Sequence, residues 1–209
     1  MTPKHIPVLT KEVVTALNLK AGGTYIDCTL GEGGHTHQIL KSTDLPIHIL
    51  GFEIDSSAIK SATETLQNYR NQVTIVKASY TDLVKESAEL GVIKVEGVVF
   101  DLGLSSLQLG GSGRGFSFRS DSPLDMRFDQ SQGLDAWQVV NLSTEQELAG
   151  VLRDLGEEPY ARRISKSIIK SRPINTTKQL ARLIVQSAGR RIGKIHPATR
   201  SFQAIRMKV

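Results

Sequence analysis

The amino-acid sequence predicts an α/β fold: a parallel sheet wound by helices, followed by a helical segment. Three observations carry that expectation. Strand-like and helix-like stretches alternate up to Phe100. A glycine-rich turn, Gly31–Gly34, follows the first strand-like run. The second such run, Ile47–Ile54, is apolar almost throughout, as in a strand buried on both faces. Alternation of this kind gives parallel strands joined by right-handed crossovers, and ligands of such sheets bind beyond the carboxyl ends of the strands.

Val13, Val14 and Leu17 recur at helical spacing in a leading helix that Thr10 is placed to cap. Gly22-Gly23 breaks it, and Thr24–Leu30 reads as the first strand. The glycine turn leads into a helix through His37–Lys41, and Ile47–Ile54 is the second strand. Asp55-Ser56-Ser57 supplies a cap for a helix over Ala58–Tyr69. Val73–Lys77 is a third strand, Asp82–Leu90 a short helix and Val95–Phe100 a fourth strand. After Asp101 the pattern changes: residues 102–133 are rich in Gly, Ser and Asp and read as a long loop. Helices follow, one with Leu148, Val151, Leu152 and Leu155 on a single stripe, one over Ala161–Lys170, and one over Lys178–Ser187 capped by Thr176 or Thr177. Trp137 reads as a core residue. Four strands are few for a doubly wound sheet, so C-terminal strands beyond Val209 are expected to be missing from this chain.

Composition narrows the function classes. A hydrophobic content of 39% supports a real core, and no apolar run approaches the roughly 20 residues of a membrane span. The N-terminus lacks the basic-then-apolar layout of a secretory signal. Cys28 is the one cysteine, which rules out disulfides within the chain and a cysteine-based zinc cluster and fits a reducing compartment. The five histidines do not converge in sequence, so no metal site is expected. Charge is unevenly spread. Residues 151–209 carry 14 Lys and Arg against Asp154, Glu157 and Glu158, whereas residues 1–150 carry 12 basic and 18 acidic residues. Such a basic third suits a polyanionic partner, a solvated helical surface being the plainer alternative.

The sharpest local feature is Asp27-Cys28-Thr29-Leu30-Gly31-Glu32-Gly33-Gly34-His35. Glycines at a strand-to-helix turn let backbone approach a nucleotide or amino-acid moiety. Glu53, which closes the next strand 22 positions after Gly31, is suited to accept both hydroxyl protons of an adenosine ribose. A dinucleotide fingerprint would place glycine where Thr36 stands. A carboxylate just ahead of the glycines, Asp27, suits the cationic groups of a methyl donor, which favours S-adenosylmethionine over NAD; a purely structural glycine turn is the third reading. Asp101 follows the fourth strand, at the edge where cofactor and substrate should meet, with Ser105, Ser106 and Gln108 in the same loop. Cys28 has no base beside it in sequence and reads as a small packed residue. Phe116 and Phe118, flanked by Arg114 and Arg119, suit either of two tasks: gripping a flipped base, or pinning the loop to the protein.

Together these segments resemble the RsmH (MraW) family of methyltransferases, which act on N4 of a cytosine in small-subunit ribosomal RNA. The matching runs are HIPVLTKEVV (5–14), DCTLGEGGHT (27–36), DLGLSSLQL (101–109), RGFSFRSDSPLDMRFD (114–129), GEEPYARRISKSI (156–168) and HPATRSFQAIR (196–206), in family order over nearly the whole chain. The resemblance implies a Rossmann-like class I methyltransferase sheet interrupted by a helical substrate-recognition domain. It further implies S-adenosylmethionine contacts from Gly33, Gly34, His35, Glu53, Tyr80, Asp101 and Gln108. Glu53 stands where the family more often has aspartate, and members continue well beyond the FQA segment.

The expected organisation is therefore a cofactor-binding core over 1–108, a loop and helical insertion over 109–195, and a truncated return segment over 196–209. The expected reaction is attack of the cytosine amine on the cofactor's methyl group, with Asp101 as the candidate proton acceptor and the base unpaired or flipped. Arg114, Phe116, Arg162, Arg163, Lys166, Arg190 and Arg191 are the candidate contacts to RNA, with Lys170 beside them. The expected partner is 16S rRNA within a small ribosomal subunit or its precursor, in the cytoplasm or an organelle matrix, with no membrane and with a homodimer left open. Alternatives are methylation of a protein or small molecule, a non-catalytic RNA-binding fragment and, distantly, a dehydrogenase.

Overall fold

The computed structural model describes residues 7–103, 113–131, 133–188 and 195–209. The chain divides into two compact units, residues 1–105 and 106–209.

The first unit is an α/β layer structure on a four-stranded parallel sheet, β1 (Thr24–Asp27), β2 (His48–Glu53), β3 (Val73–Lys77) and β4 (Gly97–Val99), in the order β3-β2-β1-β4. Its helices are α1 (Thr10–Leu17), α2 (Gly34–Lys41), α3 (Ser56–Thr65) and α4 (Leu83–Glu89). Successive strand residues go to opposite faces, because side chains alternate along a strand. Tyr25 and Ile49 pack with Ile39, Leu40 and Val99 and with Val13, Val14 and Leu17 of α1. Their neighbours Ile26 and Leu50 pack instead with Cys28, Phe52, Val76 and Leu83. The sheet is thus covered on both faces, which is why β2 reads as an unbroken apolar run.

The predicted elements are present with shifted ends. β1 stops at Asp27, four residues of strand rather than seven, as the chain turns into Thr29–Gly33. Thr10 does not cap α1: it is the first helical residue, and Leu9 ahead of it holds a left-handed φ of 55° without a side-chain cap. Asp55 does cap α3, accepting from the Ser57 N–H at 2.9 Å.

The second unit contains five helices among its described residues: α5 (Ala136–Leu142), α6 (Glu145–Asp154), α7 (Ala161–Lys170), α8 (Thr177–Ala188) and α9 (Ala198–Lys208). α5 and α6 both open on capping boxes, Asp135 with Gln138 and Thr144 with Glu147. Thr176 caps α8, its hydroxyl accepting from the Gln179 N–H at 3.3 Å. Leu148 and Leu152 of α6, Ile164 and Ile168 of α7, Leu180 and Ile184 of α8, and Phe202 and Ile205 of α9 are all fully buried. Residues 113–131 form no helix but are not loose. Phe116, Leu124 and Met126 are buried, and Arg127 grips Asp125 through two side-chain hydrogen bonds of 3.1 and 2.7 Å. Trp137 is only partly buried and donates its indole N–H to Asn175 at 2.9 Å, so it bridges two segments rather than filling the core.

α9 lies close against the turn that follows α6. A Cβ on Gly156 would stand 2.6 Å from the Arg200 carbonyl oxygen and 2.8 Å from the Ala204 side chain. Gly156→Ala therefore forces the turn off α9 and should cost about 1–3 kcal/mol, the usual penalty for overpacking. Urea unfolding measures it, and an unchanged midpoint would show that the turn relaxes freely.

Candidate functional site

The register brings Asp27, Glu53, Lys77 and Val99 to one edge of the sheet. Chain order reverses between β1 and β4, since β2 and β3 lie on one side of β1 and β4 on the other. This is the switch point at which open α/β sheets bind ligands.

At that point five residues close a ring through three hydrogen bonds and one histidine–carboxylate contact. The Asp101 N–H donates to the Thr29 hydroxyl at 2.7 Å, and the Thr29 N–H donates to Asp27 Oδ1 at 3.1 Å. The Thr36 hydroxyl, in the first turn of α2, donates to Asp27 Oδ2 at 2.8 Å. His35, beside Thr36, returns to Asp101 with Nε2 at 3.3 Å from Oδ2. Asp27 is buried and each of its oxygens is engaged, so it braces β1 to α2 instead of meeting a cofactor's charge directly. Burial pushes its carboxyl above the usual carboxylate range, against the Thr36 and Thr29 hydrogen bonds and the nearby His35. Asp101 is the opposite case, 52% exposed, with its carboxylate held out at the edge.

Gly33 precedes α2 with a φ of 82°, a conformation that side chains rarely adopt, and a Cβ there would press on Leu66 at 3.0 Å. Gly34 and His35 are the first residues of α2. Cys28, in the same segment, is buried; burial, with Asp27 adding, pushes its thiol up to about 11, so it packs and does not attack.

Glu53 is more committed than the sequence suggests. Its Oε2 accepts from the Gly31 N–H at 3.0 Å, and its Oε1 accepts from the Ile54 and Asp55 N–H groups at 2.8 and 2.9 Å. A carboxylate offers about four acceptor positions. Among the described residues three are filled, which leaves one on Oε2 for a hydroxyl. Burial lifts the Glu53 carboxyl above its ordinary range, and the three backbone N–H groups oppose that shift.

Tyr80 stands in a short turn, Tyr80–Asp82, just beyond β3 and is 46% exposed. Its ring meets Phe100 edge to face at 5.7 Å, and Phe100 is 50% exposed. Two large rings therefore stand open next to Asp101, an apolar wall suited to a flat heterocycle. Sequence reasoning passed over Phe100. The available signal was its position: Val99 turns inward, so the next residue turns out at the ligand edge. Gln108, Ser105 and Ser106 lie outside the described residues.

The second unit carries the basic candidates. Arg162, Arg163, Lys166 and Lys170 are exposed along α7, with the Arg163 guanidinium 5.2 Å from the Tyr160 ring centre. A shallow groove of about 620 Å3 runs between α7 and α8, bordered by Arg163, Ser167, Lys170, Ser171, Gln186 and Ser187. Arg190 and Arg191 lie outside the described residues. Phe116 does not join this surface. It is 1% exposed and tilted against Phe128 at 5.2 Å, and its carbonyl accepts from partly buried Arg206 at 2.9 Å. Arg114 lies over its ring and donates to the Phe128 carbonyl. Of the two tasks open to these residues, pinning the segment is the one Phe116 and Arg114 perform.

The Asp27 shift has a sign that can be tested. Its folded form takes up a proton more readily than the unfolded chain does, so its contribution to stability is full below the ordinary carboxylate range and lost as pH rises through the raised value. Asp27→Asn removes that loss. Melting temperatures of the two proteins between about pH 4 and 8 should diverge in slope; parallel profiles would place the titration elsewhere.

The family described as the MraW methylase family matches residues 2–209. A protein named ribosomal RNA small subunit methyltransferase H from Thermosipho africanus (strain TCF52B) is 45% identical, over 99% of this chain and 71% of its own length. Proteins of the same name from Syntrophus aciditrophicus (strain SB) and Cyanothece sp. (strain PCC 7425 / ATCC 29141) are 42% and 43% identical, over 98% of this chain and 67% and 68% of theirs. A solved chain from Clostridium thermocellum, 24% identical, aligns over 48% of this chain and 54% of its own with a TM-score of 0.39, too loosely to bear on fold or function. With a family match over nearly its full length and relatives above 40% identity, this chain belongs to the MraW methylase family.

Proposed function

We propose that this chain carries out S-adenosylmethionine-dependent methylation of small-subunit ribosomal RNA, at N4 of a cytosine in the decoding region. The supporting observation is the ring at the switch point, which holds an exposed Asp101 carboxylate beside an open aromatic pair, with Glu53 at the end of the neighbouring strand. This donor set fits the cofactor. The open acceptor on Glu53 suits a ribose hydroxyl, the Tyr80 and Phe100 rings suit adenine, and the turn at Gly33, Gly34 and His35 brings backbone close. Gln108 belongs to the same proposed set. When bound, the cofactor supplies an electrophilic methyl group on a sulfonium.

The chain's own task is then to place a nitrogen and manage its proton. The exocyclic amine of cytosine is a poor nucleophile because its lone pair is delocalised into the ring, so holding it in line supplies much of the acceleration. Asp101 accepts a hydrogen bond from that amine as it rehybridises and takes the proton that the methylated nitrogen sheds. His35, 3.3 Å from Oδ2, steadies the carboxylate while this happens. Residues 1–108 would provide this chemistry. The helical region 109–195 would hold RNA, with Arg162, Arg163, Lys166, Arg190 and Arg191 meeting phosphates without reading sequence, and 196–209 would lead back toward the core. The partner is 16S rRNA in a small subunit or its precursor, in the cytoplasm or an organelle matrix. Among the described residues no helix is long and apolar enough to cross a membrane.

Two variants test the assignments. Glu53→Ala should weaken S-adenosylmethionine binding by about tenfold in calorimetric titration, in line with one charge-assisted hydrogen bond; unchanged affinity removes Glu53 from the site. Asp101→Asn should lower the rate of methyl transfer to small subunits by about 100-fold with cofactor affinity within about tenfold. A loss confined to affinity would assign Asp101 to the cofactor alone. RNA binding with no methyl transfer by the unaltered chain would leave binding as its function.

A further inference from the structure

The basic groove between α7 and α8 is not the only opening on the second unit. On the other side of α8 lies a smaller one of about 330 Å3, bordered by Phe118, Lys178, Ala181, Arg182, Val185 and His196. Gln186 borders both openings. We propose that this second groove seats an unpaired nucleotide of the substrate RNA, its base stacked on His196 and its phosphates met by Lys178 and Arg182. The proposal rests on the reading that the chain acts on RNA.

His196 is held as a stacking platform must be. Its Nδ1 accepts the N–H of Ala198, the first residue of α9, at 3.2 Å. One face of its ring lies on Phe118, with centres 4.5 Å apart and planes 26° apart. Phe118 in turn stands edge-on against buried Phe202 at 5.0 Å, so the pair is anchored in the core. His196 itself is exposed. With one nitrogen and one face committed, the imidazole presents its other face and its Nε2 outward, at no further cost in side-chain ordering. Lys178 and Arg182, four residues apart on α8, share a helical face and are both exposed. Asp121 lies near them, its carboxylate accepting the Lys178 backbone N–H at 3.2 Å, so it offsets part of their charge. A fixed ring flanked by cations is the chemistry by which proteins hold single strands: bases stack on the ring and phosphates pair with the cations. The local surplus of basic residues in this third of the chain points to the same polyanion.

The test uses the full chain and a labelled single-stranded RNA of about twelve nucleotides, within the span that such surfaces cover. Its affinity is measured for the unaltered chain and for three variants whose folding is checked by circular dichroism. His196→Asn keeps an acceptor for the Ala198 N–H but offers no ring, and should bind about tenfold more weakly. His196→Phe keeps a ring face without the acceptor, and should stay within about twofold of the unaltered chain. Lys178→Gln with Arg182→Gln should flatten the dependence of affinity on salt. Equal binding by His196→Asn, or equally weak binding by His196→Phe, overturns the platform. So does equal affinity for an abasic strand of the same length, which would mean that the groove takes phosphates alone. An acidic peptide that displaces the RNA only from proteins with Lys178 and Arg182 intact, with no effect of His196→Asn, would assign the groove to a protein partner and also overturn it. Failure of the unaltered chain to bind any RNA would instead overturn the functional reading on which the platform rests.

Discussion

Burying a carboxylate is expensive unless its oxygens are hydrogen-bonded, and the ligand edge of the sheet is organised around one that is. Asp27 sits at the end of the central strand with Thr36 on one oxygen and the Thr29 backbone on the other. Those two bonds tie the strand end to the first turn of the following helix. Through Thr29 and His35 the same unit reaches Asp101 at the end of β4. The separation between β1, β4 and α2 at the ligand edge is thereby set by side-chain chemistry and not by packing alone. A buried acid stands behind an exposed one: Asp27 holds the strand end to the helix, and Asp101 keeps its carboxylate at the surface.

The two units divide the electrostatic labour. The first, with its acidic surplus, offers carboxylates and backbone groups at a sheet edge, which suits hydroxyls and amines. The second, strongly basic, offers cations on exposed helical faces over a largely apolar interior. Its interior is held by Leu, Ile and Phe side chains from four helices, so Arg and Lys are spared from structural work at most positions. Arg206 and Arg172 are exceptions. Each is pulled in to donate to backbone carbonyls, and burial holds both guanidiniums below their ordinary range.

Much of the sheet was legible because its strands announce themselves twice, by apolar continuity and by the turn residues between them. Val73–Lys77 and Ala161–Lys170 coincide with observed elements residue for residue. α5 was not foreseen, although Asp135 and Gln138 form a capping box there; seven residues are too few for a periodic stripe to stand out. Candidate site residues could be named where a motif singled them out, and were obscure where long-range contacts decide their surroundings. Asp27 reads as a partner for a charged ligand until Thr36, nine residues on, is seen to claim it. Phe116 and Phe118 look alike in sequence, each within two residues of an arginine, yet one is core and the other carries an exposed imidazole. No pattern of residue types separates them, because the difference lies in which way the chain enters the fold.

The three backbone donors on Glu53 also bear on what the site will refuse. A carboxylate already steering the glycine turn has little left to give, so under the proposed function it would meet a sugar as a single acceptor in a half-desolvated spot. Nucleosides lacking the matching hydroxyl would strand that lone pair away from water, and such sites reject deoxy analogues more sharply than their few contacts suggest. Under the proposed function, selectivity for a ribonucleoside would thus come from scarcity of acceptors.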